Sequence, residues 1–212
     1  MTPRTSFSAR NCLFMIVGLA TVSTLTACEN STQPPSASPT VSASASATAT
    51  ASPTLSAVYK PADAKGKAEN VPVPVLPEAA KANSKEGVEA FARYWFQALS
   101  YAYETGDTAS IKRATGPNCV FCNGLQESIG QSWADGKWIV GGRIETPVVA
   151  GKPGTGPESR QATVQVIQQQ IEIRKADGTL YQDATEASNS GSQLVATFSA
   201  DGWIVTDLGL IR

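Results

Sequence analysis

Residues 83–106 read NSKEGVEAFARYWFQALSYAYETG, and the reading of this stretch decides the fold. Val88, Phe91, Trp95, Leu99 and Ala102 recur at helical spacing, with Ala92, Phe96 and Tyr103 widening the stripe. Lys85, Glu89, Arg93, Gln97 and Glu104 fall on the other side, so the segment predicts an amphipathic helix with one face in a core. Asn83-x-x-Glu86 has the spacing of a capping box, the Asn side chain accepting from the first turn and Glu86 reaching back. Gly106 is placed to take the left-handed conformation that ends a helix.

Downstream the pattern predicts two more helices. Asp107 can cap a short one running to Ala114, which ends at Gly116-Pro117. Asn118 can cap a third that carries Cys119, Cys122, Leu125, Ile129 and Trp133, with Asp135-Gly136 as its stop. From Trp138 the period changes to two. Residues 138–144 and 147–150 read as strand, 151–157 as a Gly/Pro loop and 160–175 as a long strand. In that strand Val164 and Val166 share one face and Ile167, Ile171 and Ile173 the other, a phase slip that suggests a β-bulge and a bent sheet. Asp177-Gly178 signals a hairpin, with a short return strand at Leu180-Tyr181 and a polar loop over 183–192. Residues 193–199 and 203–211 form a last hairpin across Asp201-Gly202. The expected class is α+β: three N-terminal helices packed on a strongly bent antiparallel sheet of four to five strands, over residues 84–212.

The chain before this domain has a different character. Arg4 and Arg10 precede an apolar run from Leu13 to Leu19, and small residues lead to Ala27-Cys28, the layout of a secretory signal. Leu25-Thr26-Ala27-Cys28 resembles a bacterial lipobox, which implies cleavage after residue 27 and a diacylglycerol on Cys28. Two acyl chains at about 0.8 kcal/mol per buried CH₂ give stable anchoring. The membrane is thus one expected partner and the outer face of the cell membrane the expected location. From Asn30 to Ala57, 24 of 28 residues are Ser, Thr, Ala or Pro, too little apolar surface to offset ordering entropy. Residues 28–57 are expected to be a disordered stalk, open to O-glycosylation or serving as a plain spacer. Residues 58–83, with Tyr59-Lys60-Pro61 and the run Val71-Pro-Val-Pro-Val-Leu-Pro77, read as an extended lead-in laying Tyr59, Val73, Val75 and Leu76 on the domain.

Composition removes whole function classes. The chain has no histidine, so Ser-His-Asp and Cys-His catalysis and His-rich metal sites are excluded, and no metal or cofactor is expected. Of 17 Lys+Arg, Arg4 and Arg10 leave with residues 1–27, so 15 face 18 Asp+Glu and the balance is −3. That mild acidity argues against a nucleic-acid partner. Of four cysteines, Cys12 leaves with the signal and Cys28 takes the lipid. Cys119 and Cys122 remain as an expected disulfide in an oxidising compartment.

Three helices followed by a bent antiparallel sheet resemble the cone-shaped fold of nuclear-transport-factor-2-like, ketosteroid-isomerase-like and SnoaL-like proteins. A closer resemblance rests on the lipobox, the stalk, Tyr59-Lys60-Pro61-Ala62, Asn70-Val71-Pro72, Phe91-Ala-Arg-Tyr-Trp95, Tyr101-Ala-Tyr-Glu-Thr-Gly-Asp107 and Cys119-x-x-Cys122. On these the chain is similar to an uncharacterised family of actinobacterial lipoproteins, which implies surface anchoring and no known activity. Three functional readings stay open. Cys119 and Cys122, at a helix start, could exchange disulfides. A cone-pocket isomerase or dehydratase would draw on Tyr94, Tyr101, Tyr103, Glu145 and Asp207. The reading preferred from sequence is a binding module for a small apolar ligand or an envelope protein, without catalysis. Tyr94, Trp95, Trp133 and Trp138 are its candidate contacts, and Trp203 a further wall residue.

Overall fold

The computed structural model describes residues 57–211. The expected signal peptide 1–27, the lipid site Cys28 and the stalk 28–57 (except Ala57) lie outside the described residues.

Helix α1 runs Lys85–Thr105 and buries Val88, Phe91, Ala92, Trp95, Phe96, Leu99 and Ala102. Full burial of each large apolar side chain contributes about 1.5–3 kcal/mol. Gly106 ends the helix at φ 77°, its N–H donating to Ala102 O at 2.9 Å. The start differs by one residue from the expected capping box. Ser84 is the cap, its side chain accepting from Gly87 N at 2.9 Å, while the Asn83 amide donates to Glu158 at 3.1 Å. Asn83 is spent on a long-range tie, which leaves the adjacent hydroxyl to close the first turn.

Helix α2 spans Ala109–Arg113 and α3 spans Val120–Trp133. Asp107 Oδ1 does accept from Ala109 N at 2.8 Å, although Thr108 is the capping position. Asn118 caps nothing: Cys119 occupies the capping position of α3, and the Asn123 amide donates back to Pro117 O at 2.9 Å. Asp135 and Gly136 stop α3 with positive φ of 56° and 75°.

Seven strands follow: β1 Trp138–Gly141, β2 Ile144–Glu145, β3 Val149–Pro153, β4 Ser159–Gln168, β5 Ile171–Arg174, β6 Ser188–Ser199 and β7 Gly202–Ile211. One sheet has β2 and β3 along one edge of β4, then β6 and β7, all antiparallel; β1 and β5 form a separate pair. The expected strands 138–144 and 160–175 are therefore each broken in two. The break is a corner: Gly141 and Gly142 take φ of 78° and 73°, and Gly142 N donates to Gln170 O at 2.9 Å. A Cβ on Gly141 would lie 2.1 Å from that carbonyl, so only glycine fits. The phase slip between Val166 and Ile171 thus spans a change of sheet, at Gln169-Gln170. The bulge lies instead on β7, where Thr206 is the extra residue opposite Val195-Ala196. Two more expectations change. Ser188–Ser192, part of the expected polar loop, pairs with β4, and Leu180-Tyr181 makes one bridge to Arg174 rather than a strand.

Ala162, Val164 and Val166 of β4, Leu194 and Ala196 of β6, and Trp203, Val205 and Leu208 of β7 are buried in one cluster with the α1 stripe, Ile111 and Ile129. The opposite side of β4 and β6 carries Gln161, Thr163, Gln165 and Gln193. This is the α+β architecture read from the sequence, helices laid on an antiparallel sheet.

The lead-in is partly folded. Lys60 and Glu69 exchange backbone hydrogen bonds at 3.0 and 2.9 Å, Asp63 N donates to Gly66 O at 3.0 Å, and residues 58–70 form a small hairpin. The chain then extends to Pro77, and a 3-10 turn, Glu78–Lys81, precedes α1. Tyr59 is half-buried as expected. Val73 and Val75 are exposed, at 62% and 80%, and Leu76 is exposed too. An extended proline-rich chain turns every three residues, so Val71 and Pro74 face inward and the residues between them face out.

Candidate functional site

One side of α1 repeats Arg93, Gln97, Ser100, Tyr101 and Glu104 at steps of three and four, with Ser100 buried. At 1.5 Å per residue that stripe is about 16 Å long. It floors a cleft of about 730 Å³. Val71–Val75 and Tyr59 of the lead-in form one wall, and Arg143–Pro147, around β2, the other.

Backbone anchors fix the β2 wall to the floor. Ser100 Oγ accepts from Ile144 N at 3.1 Å, and Arg93 Nη1 donates to Thr146 O. Across the cleft, Tyr59 O–H donates to Glu104 Oε2 at 2.5 Å, and the Arg143 guanidinium lies 5.7 Å from the Tyr59 ring centroid. Burial, then the bond to Glu104, pushes the Tyr59 hydroxyl above its ordinary value, with Arg143 opposing. Tyr59 is therefore a neutral donor at physiological pH. Among the described residues neither Arg143 nor Glu145 forms a salt bridge. The floor and far wall thus carry both signs of charge. The near wall is apolar, with Val73 and Val75 along it, both exposed.

The residues singled out from sequence are placed as follows. Tyr101 and Glu145 line the cleft. Trp95 is fully buried and its indole N–H donates to Thr115 Oγ1 at 3.0 Å. Trp133 donates to Tyr103 O at 3.2 Å, Trp138 to Asp63 O at 2.9 Å and Trp203 to Ala82 O at 3.2 Å. All four indoles tie one segment to another, and none lines the cleft. Tyr94 packs against the core beside Phe91, with ring centroids 6.5 Å apart. Tyr103 is half-buried, and burial raises its hydroxyl above the ordinary value. Asp207 is exposed on β7 and accepts from Leu208 N at 2.9 Å.

Cys119 and Cys122 form a disulfide, and both residues are 0% exposed. An attacking thiolate needs access to a sulfur, so the exposed bond that an exchanger requires is not present. Among the described residues no cluster of three or more Cys, Asp or Glu could hold a metal, and no helix is long and apolar enough to cross a membrane.

Arg93, Gln97, Glu104 and Arg143 are among the cleft residues that sequence reasoning missed. Three of them belong to the polar stripe of α1, a pattern that reads as a solvent face until another segment covers it.

Helices packed on an antiparallel sheet, with a cleft bounded by the first helix, the lead-in and the edge strand β2, place the protein among the α+β domains. The chain belongs to a family of unknown function, DUF6318, whose pattern matches residues 57–209. Among solved structures it is similar to an uncharacterized protein with a cystatin-like fold from Caulobacter vibrioides, at 13% identity over 57% of this chain and 87% of that one, TM-score 0.38. A domain of unknown function with a cystatin-like fold from Nostoc punctiforme is similar at 16% identity, over 58% and 76% of the two chains, TM-score 0.36. The intermembrane space region of chloroplast protein ARC6 is similar at 9% identity, over 61% and 97%, TM-score 0.43. No curated protein matches the chain.

Proposed function

We propose that the protein is an extracytoplasmic lipoprotein of actinobacterial type, held to the outer face of the membrane through Cys28, whose domain binds an extended segment of an envelope protein without catalysing a reaction. The observation that carries the binding part is the form of the cleft. A groove about 16 Å long spans about five residues of extended peptide at roughly 3.3 Å each. An apolar wall faces a floor with cations and anions, which suits a chain of alternating apolar and charged side chains. Arg143 and Glu145 would pair with charges of the partner, and Tyr101 would stack or donate.

A display library of extended pentapeptides, panned on the intact chain, tests this reading. Selected peptides should carry at least one acidic and one apolar residue and lose binding by tenfold or more in Arg143→Ala. Failure to select any peptide, or binding indifferent to Arg143 and Glu145, would sink it. The anchor is tested separately by intact mass of the protein from its own membranes. A diacylglycerol adduct on Cys28 that vanishes in Cys28→Ala supports it; an unlipidated mature chain overturns it.

A further inference from the structure

One wall of the cleft is held quite differently from the rest. Among the described residues, Val71–Leu76 make no hydrogen bond, and Pro72, Val73, Val75 and Leu76 are exposed. Few buried contacts and an exposed backbone are the features of a segment that opens at low free energy. Immediately after it the chain is pinned: Ala80 is 1% exposed, and Ala82 O accepts from the Trp203 indole at 3.2 Å. Before it, the 58–70 hairpin is closed on itself by the Lys60–Glu69 pair, at 2.7 Å, and by the Asn70 amide donating to Val58 O at 3.0 Å. That hairpin touches the domain through Tyr59 on Glu104, Asp63 O under the Trp138 indole, Ala64 O packed close against Gly178, and Lys67 with its ammonium 5.2 Å from the Trp133 ring centroid.

From this arrangement we infer that residues 58–76 are a lid, hinged at Leu76-Pro77, that swings off as one piece when the Tyr59 and Asp63 catches release. The hairpin carries its own hydrogen bonds, so release costs these contacts and the Val71 and Pro74 packing. Opening takes Tyr59 and Val71–Val75 out of the cleft and exposes the faces of Trp133 and Trp138. It leaves the α1 core and the five-stranded sheet intact. The cleft exists only while the lid is shut, so any occupant that touches both walls holds the lid closed, and an open lid weakens binding in proportion to its population. The lid is also the segment joining the domain to everything upstream of Ala57, so the state of the cleft is coupled to that connection. This inference holds whatever the cleft accepts.

Hydrogen exchange followed by NMR on the full chain tests it, with no ligand added. The Trp138 indole N–H, bonded to Asp63 O of the lid, reports on lid opening, and the amides of β4 and β6 on the sheet. In the native chain that indole should exchange orders of magnitude faster than the sheet. Tyr59→Phe removes one hydrogen bond to a carboxylate and should speed exchange of the indole about tenfold, with sheet exchange unchanged. Indole and sheet amides moving together, or indole exchange indifferent to Tyr59→Phe, would overturn the inference.

Discussion

Gly106 sits at φ 77°, and a Cβ on it would lie 2.7 Å from the Trp133 indole. That ring cannot retreat freely, because its N–H is bound to Tyr103 O. Gly106→Ala meets both a left-handed backbone and a clash, so it should cost about 1–3 kcal/mol. Gly124 is the opposite case, inside α3 with open space where its Cβ would go. Gly124→Ala should stabilise by about 0.5–1 kcal/mol through helix propensity alone. Urea midpoints of the two variants, moving to opposite sides of the native value, check the pair. At this scale the sequence was legible where geometry leaves one choice, as at Gly106. It was silent on partners: nothing in the spacing of Trp95, Trp133, Trp138 and Trp203 tells that each indole N–H would be used as a tie.

Among the elements, α1 was readable because a long 3.6-residue stripe has one physical solution. The strand region was less so. The run 160–175 holds no Gly or Pro to mark its two-residue corner at Gln169-Gln170, and Ser188-Asn-Ser-Gly-Ser192 forms strand because β4 pairs along all of it and β7 along its end, which overrides its weak propensity. Cysteine counting pointed to the Cys119–Cys122 bond, and burial assigns it a local structural role at the start of α3. A loop of about four residues contributes only about 2 kcal/mol in the chain-entropy model. Cys119→Ala with Cys122→Ala should therefore lower Tm by several degrees and leave a folded domain, with the change in hydrogen exchange confined to the first turns of α3. Loss of all cooperative unfolding in that variant would mean that the pair organises the core rather than one helix start.

At the scale of the whole domain the cleft escaped sequence reasoning because three distant segments build it, around Tyr59–Val75, Arg93–Glu104 and Arg143–Pro147. The same assembly makes a pH prediction. Burial raises the Tyr59 and Tyr103 hydroxyls, Glu104 adding to the first and Gln168 opposing at the second. Above pH 10.0, the ordinary tyrosine value, the unfolded chain gives up these protons while the folded chain keeps them. The folded state then binds more protons than the unfolded one, so stability falls as pH rises. Lys60, whose ammonium Glu69 holds above its usual value, acts in the same direction. The contribution is complete below pH 10 and is lost as pH climbs through the higher folded values. Urea midpoints taken from pH 9 to pH 11.5 should decline, and the decline should be shallower in Tyr59→Phe with Tyr103→Phe, which has neither proton to lose. Equal slopes in the two proteins would place the alkaline sensitivity elsewhere. A slope reduced by Tyr103→Phe but not by Tyr59→Phe would fit a lid already open at high pH, because an open lid returns Tyr59 to water and to its ordinary titration.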